Sequence, residues 1–123
     1  MDEWTADQRR SVVLEYQLRV GVHTIAGVCE RHGLTPAGFR RLRNQVGPVY
    51  ATHHELVLAA VRRGARTVRA IAETVDYLDH VRHPDAVIAG WLGELEARGL
   101  VRREGETWSA PEARFPMAGA RLD

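Results

Sequence analysis

The stretch GLTPAGFRRLRNQV, residues 33–46, decides how the rest of the chain is read. Gly33 tolerates the left-handed turn that ends a preceding helix. Thr35 is an N-cap residue, and Pro36 at the first helical position loses nothing by lacking an N–H. Phe39, Leu42 and Val46 then recur at helical spacing and define an inward side. Of the five positions from 40 to 44, all but Leu42 are arginine or asparagine. A short helix therefore presents a basic, hydrogen-bonding face on the side its core does not use.

Working outward, Thr5 with Gln8 reads as a capping box for a first helix over about 5–20, with Val13, Leu14, Tyr16, Leu18 and Val20 on its buried side. Thr24 caps a second helix whose inward residues are Ile25, Val28 and Cys29. After Gly47 and Pro48, Thr52 with Glu55 forms a second capping box for the helix HELVLAAVRRG. Thr67 opens a helix running to about Leu78, and Val87, Ile88, Trp91, Leu92 and Leu95 mark another from Pro84 to near Gly99. The period then changes. LVRREGETWSA reads as two short strands around a two-residue turn at Glu104-Gly105, with Val101 and Trp108 in the flanking strands. The last segment, PEARFPMAGARLD, has no sustained period and is expected to be a mobile tail.

Composition narrows the classes. A chain of 123 residues, 45% apolar and 27% charged with a net charge of +1, suits a small soluble protein and excludes large enzymatic architectures. Its basic residues are all arginine, whose planar fork suits phosphates and guanine edges. Residues 1–47 carry seven arginines against five acids, and residues 48–109 eight against nine, so the basic excess lies in the first part. The polar, acidic start MDEWTADQRR is unlike a secretory signal, and a cytoplasmic location is expected. Cys29 stands alone, which rules out an internal disulfide. No apolar run is long enough for a membrane helix. Without a glycine-rich phosphate loop or a nucleophile elbow, no enzymatic activity and no cofactor are expected. The close pairs Cys29/His32 and His80/His83 lack companion pairs at zinc spacing, so no metal is expected either.

TIAGVCERHGLTPAGFRRLRNQV resembles the helix-turn-helix of transposase-like and small bacterial or phage DNA-binding proteins, over about residues 12–46. Cys29 fills the small buried slot, Gly33 lies at the turn, and Leu34, Phe39 and Leu42 take the locking positions. WLGELEARGLVRREGETW resembles the end of a winged helix-turn-helix, over about residues 52–109. Here DYLDHVRHPD is longer than the usual turn before the recognition helix. The resemblances imply a mainly α fold. A three-helix, helix-turn-helix lobe at residues 1–47 would be followed by a winged helix-turn-helix lobe with a short β-hairpin at 48–109 and the tail at 110–123.

They also imply a sequence-specific double-stranded DNA-binding protein, a small transcriptional regulator such as a repressor of a phage or mobile element. Residues 35–45 would enter the major groove. The expected contacts are Thr35, Ala37, Gly38, Arg40, Arg41, Arg43, Asn44 and Gln45. Arg41 would fork onto guanine and Asn44 bond adenine, while Arg40 and Arg43 meet phosphates. Arg66, Arg69, Arg102 and Arg103 would extend the footprint along the backbone. The later helix instead offers small residues, Ala86, Ala89, Gly90 and Gly93, as a face for a homodimer or protein partner. Two alternatives accompany this reading: a DNA-recognition subunit of a recombination, transposition or packaging complex, and a protein-interaction adaptor using the second lobe.

Overall fold

Local hydrogen bonding starts almost every helix in the computed structural model, which describes residues 3–122. Its order is α1 (Ala6–Leu18), α2 (Ile25–His32), α3 (Pro36–Val46), α4 (His53–Arg62), α5 (Val68–Asp79), α6 (Asp85–Ala97), β1 (Arg102–Glu104) and β2 (Thr107–Ser109). The chain is thus mainly helical with a small antiparallel hairpin near its C-terminal end. Threonine caps the first five helices. Thr5 and Thr52 form reciprocal capping boxes with Gln8 and Glu55, and Thr24, Thr35 and Thr67 each accept from an N–H three residues on. α6 begins differently, after Pro84, with no side-chain cap.

The centre is α4. Every residue from Glu55 to Val61 is buried, so this helix is covered on all sides rather than along one stripe. It packs on α5, α6 and β2, while α1, α2 and α3 pack on one another. One apolar cluster nevertheless unites both groups: Leu14 of α1, Val28 of α2, Phe39 and Leu42 of α3, Leu58 of α4, Ile71 of α5 and Ile88 of α6 all belong to it. Polar links reinforce the seam. Arg10 of α1 grips both carboxylate oxygens of the fully buried Glu55, and its second nitrogen also donates to the Tyr50 carbonyl at 2.9 Å. Gln17 donates to the Val49 carbonyl at 3.1 Å, and Arg63 to the Leu18 carbonyl at 3.0 Å.

The hairpin is shifted by one residue from the expected turn. Glu104 pairs with Thr107, so the two turn residues are Gly105 and Glu106 rather than Glu104 and Gly105. Gly105, at φ +62°, takes the first central position, where a II′ turn needs a positive φ that glycine adopts without a Cβ clash. Val101 is buried just before β1, and Trp108 lies buried in β2 opposite Arg103.

The expectation of a mobile tail is corrected. Residues 110–122 form no helix or strand, yet Pro116, Met117 and Ala120 are buried. The Phe115 ring stacks on His32 at 5.6 Å and meets Trp4 edge-on at 5.3 Å. The Met117 N–H donates to the buried Ser11 hydroxyl at 3.0 Å, and Arg31 donates to the Ala113 carbonyl at 2.8 Å. Aromatic contacts and side chain to backbone bonds therefore hold a segment that has no regular structure of its own.

Two substitutions test this arrangement by urea denaturation. Met117→Ala is expected to lower stability by about 2–5 kcal/mol through the cavity it leaves, whereas an undocked tail would leave the midpoint unchanged. Glu55→Ala strips Arg10 of its buried partner and should cost about 3–5 kcal/mol.

Candidate nucleic-acid interface

α3 is amphipathic by construction. Phe39 and Leu42 are fully buried against α1 and α2, while Ala37, Arg40, Arg41, Arg43, Asn44 and Gln45 are exposed. Its start is rigid, because Gly33 ends α2 in the left-handed region at φ +67° and only Leu34 and Thr35 separate it from Pro36. The Leu34 N–H bonds back to the Cys29 carbonyl at 2.8 Å. A turn this short leaves the angle between α2 and α3 to be set by Val28, Cys29, Leu34 and Phe39, all in or against the core.

The expected contact residues fare unequally. Thr35 is exposed, but its oxygen accepts the Gly38 N–H at 3.0 Å, which leaves only the hydroxyl hydrogen and one lone pair for an outside group. Gly38 is corrected: it is buried and offers no outward surface. The covering groups are local. A Cβ at Gly38 would stand 3.2 Å from Thr35 Oγ1 and 4.0 Å from Arg41 Nη2, so these two side chains lie over it. Arg43 is partly engaged, with its guanidinium 5.9 Å from the centroids of both Tyr16 and Phe39. Among the described residues, Arg40, Arg41 and Arg43 have no carboxylate within ion-pair distance. Arg40, Arg43 and Asn44 share a hollow of about 540 Å³ with the following segment from Gly47 to Val49.

The arginines of the later part lie elsewhere. Arg66 and Arg69 are exposed around the start of α5, and the Arg66 carbonyl accepts the Trp108 N–H at 2.7 Å, tying that corner to β2. Arg102 and Arg103 are exposed on β1, where Arg103 bonds the Gly105 carbonyl at 2.8 Å and lies 5.8 Å from the Trp108 ring. Arg66 borders a wide cleft of about 840 Å³ together with Arg31, Arg62 and Arg114. Burial lowers the Arg62 pKa, the neighbouring Glu15 carboxylate opposes this by favouring the charged form, and the Arg31 charge lowers it further. Beneath the cleft, fully buried Glu15 is held by Arg31 at 3.0 Å and faces His32 at 3.3 Å. α3's arginines and Arg66 thus line separate hollows.

Ala86, Ala89, Gly90 and Gly93 are all exposed on α6, and a Cβ added at either glycine would meet nothing within 4 Å. Val87 beside them is also exposed.

Two groupings lay beyond sequence reasoning. Arg114 joins Arg31, Arg62 and Arg66 at the cleft because the tail folds back, with the Ala113 carbonyl bonded by Arg31. The close pair His80/His83 is split: His83 instead comes together with His53 and Asp79, whose ligand atoms all lie within 4.8 Å of one another. For Glu15 a signal was present, since it lies inside the apolar run of α1 one turn from Ser11 and Leu18, and all three are buried. No helix of the described residues is long and apolar enough to cross a membrane. Set against family models, curated proteins and solved structures, the chain finds no match in any of the three.

The difference between committed and free arginines is chemically readable. Brief phenylglyoxal treatment with peptide mass mapping should label Arg40, Arg41 and Arg102 early and spare Arg10. Modification of Arg10 at the same rate as Arg41 would contradict its pairing with Glu55.

Proposed function

We propose that the protein is a sequence-specific double-stranded DNA-binding regulator that inserts residues 35–45 into the major groove and acts by occupancy rather than by chemistry. The observation that carries this reading is the division of α3. One side is spent entirely on the core, and the other presents three arginines, Asn44 and Gln45 to solvent with no carboxylate partner among the described residues. Arg41 and Asn44, three positions apart, share that outward side and match guanine O6/N7 and adenine N6/N7. Arg40, Arg43 and the Thr35 hydroxyl suit flanking phosphates. Ala37 keeps the leading end of the helix slim enough for a groove, a role that Gly38 no longer shares. Arg66, Arg69, Arg102 and Arg103 add phosphate contacts along the backbone. A net charge of only +1 fits a protein that relies on a local face rather than on bulk attraction.

A second reading is favoured by α6, whose exposed Ala86, Ala89, Gly90 and Gly93 admit close approach of another helix. This face would join two copies, or recruit a protein partner, without competing with α3.

Selection of bound fragments from random double-stranded DNA, followed by titration on the winning site, tests the reading. A particular site should be held well above random DNA, with affinity falling steeply as salt rises. Arg41→Ala and Asn44→Ala should each remove about 1–3 kcal/mol of discrimination, whereas Arg102→Ala should weaken all sequences alike. Unchanged site preference in both α3 variants would overturn the groove assignment.

A further inference from the structure

We propose that His53, Asp79 and His83 form a transition-metal site, best matched to Zn²⁺, that ties the start of α4 to the end of α5 and to the segment leading into α6. One ring nitrogen of each histidine and a carboxylate oxygen of Asp79 converge within 4.8 Å of one another. The ligands of a tetrahedral zinc stand roughly 3.4 Å apart, as metal–ligand distances of about 2.1 Å require. Small side-chain rotations close that gap, because His53 is exposed and the other two are only partly buried.

Three independent features point to a cation here. His83 Nε2 is out of reach of water and has no hydrogen-bond partner among the described residues. Such a buried ring nitrogen has lost its hydration without compensation, a cost that coordination of the imidazole would offset. Asp79 is the last residue of α5, where a carboxylate faces the negative end of the helix dipole. No arginine or histidine lies within ion-pair distance of it among the described residues, so a bound cation would supply the charge it lacks.

The third feature is the way the rings are held. Trp91 stacks on His53 at 4.6 Å and meets His83 edge-on at 5.1 Å, so one indole orients both imidazoles. His54 is drawn aside by its hydrogen bond to Glu94. His80 closes α5 in the left-handed region at φ +60°, and this reversal carries the chain round so that His83 returns to α4.

The donor set selects the ion. Two imidazoles and one carboxylate suit Zn²⁺, Co²⁺ or Ni²⁺, whereas Mg²⁺ and Ca²⁺ prefer oxygen alone and Cu⁺ prefers sulfur. A hollow of about 290 Å³ bordered by Thr52, His53, Asp79 and Leu122 leaves room for water as the fourth ligand. Because the three ligands come from separate elements, the metal would act as a cross-link that exists only in the folded chain.

Titration of the full chain with Zn²⁺ and with Co²⁺ tests this, with Mg²⁺ as the control ion. One equivalent of Zn²⁺ should bind and raise the Tm, and Mg²⁺ should do neither. Co²⁺ should give the visible bands of a tetrahedral site without a thiolate charge-transfer band. Asp79→Asn and His83→Ala should each weaken Zn²⁺ binding by about 100-fold or more, beyond what loss of an outer partner costs. His23→Ala and His80→Asn, the latter keeping a residue that tolerates the left-handed turn, should leave it unchanged. If His83→Ala does not fold, Asp79→Asn, nearly isosteric and partly solvated, decides the matter. Absence of stoichiometric binding, a thiolate band from Cys29, or full affinity in Asp79→Asn would overturn the site.

Discussion

A helix that is apolar on every side cannot rest on a single neighbour, and α4 is such a helix. Burying Leu56 through Val61 requires cover from both directions, so α5, α6 and β2 must close one flank and the N-terminal helices the other. The same helix carries Glu55 in its first turn, where the capping box needs it. Burial would make that carboxylate very costly if it stood alone. Arg10 of α1 removes the difficulty by bonding both its oxygens, and in doing so fixes how the two halves meet. Local capping and long-range ion pairing thus converge on one side chain.

The position of α3 follows from this packing. With α4 occupied elsewhere, α3 is supported by α1 and α2 alone, and its inward side needs only Phe39 and Leu42 to be fully buried. The rest of its circumference is left to solvent, which is where the arginines are. Rigidity comes from the short Gly33–Thr35 connection below it and from the Arg10 and Gln17 bonds that hold the segment after it at Tyr50 and Val49. The exposed face of α3 is therefore positioned by a scaffold that reaches both ends of the helix.

The C-terminal segment closes a second gap. Phe115 covers His32 and Trp4, so it shields the buried Glu15–His32 contact from water, and the Arg31 bond to Ala113 draws the same segment across the cleft. The acidic, small-residue surface of α6 and the His53–Asp79–His83 cluster belong to the other group of helices. The exposed arginine face of α3 and the His53–Asp79–His83 cluster are therefore kept on different elements of one core.

Whatever depends on residues within a turn of one another was legible in the amino-acid order: the capping boxes at Thr5/Gln8 and Thr52/Glu55, the caps at Thr24, Thr35 and Thr67, and the inward stripe of Phe39 and Leu42. The physical reason is that cap hydrogen bonds span three residues and helical stripes repeat every three or four, so both are specified by near neighbours along the chain. The turn slipped by one place because glycine at 105 suits either central position until cross-strand pairing chooses. Gly38 was misread because a helical projection does not include the Thr35 and Arg41 side chains that fold over it. Tertiary structure alone decided the docking of Phe115 and Met117, the Arg10–Glu55 bond and the meeting of His53 with Asp79 and His83. Each of these joins segments far apart along the chain, and their free energy appears only once the intervening helices have packed.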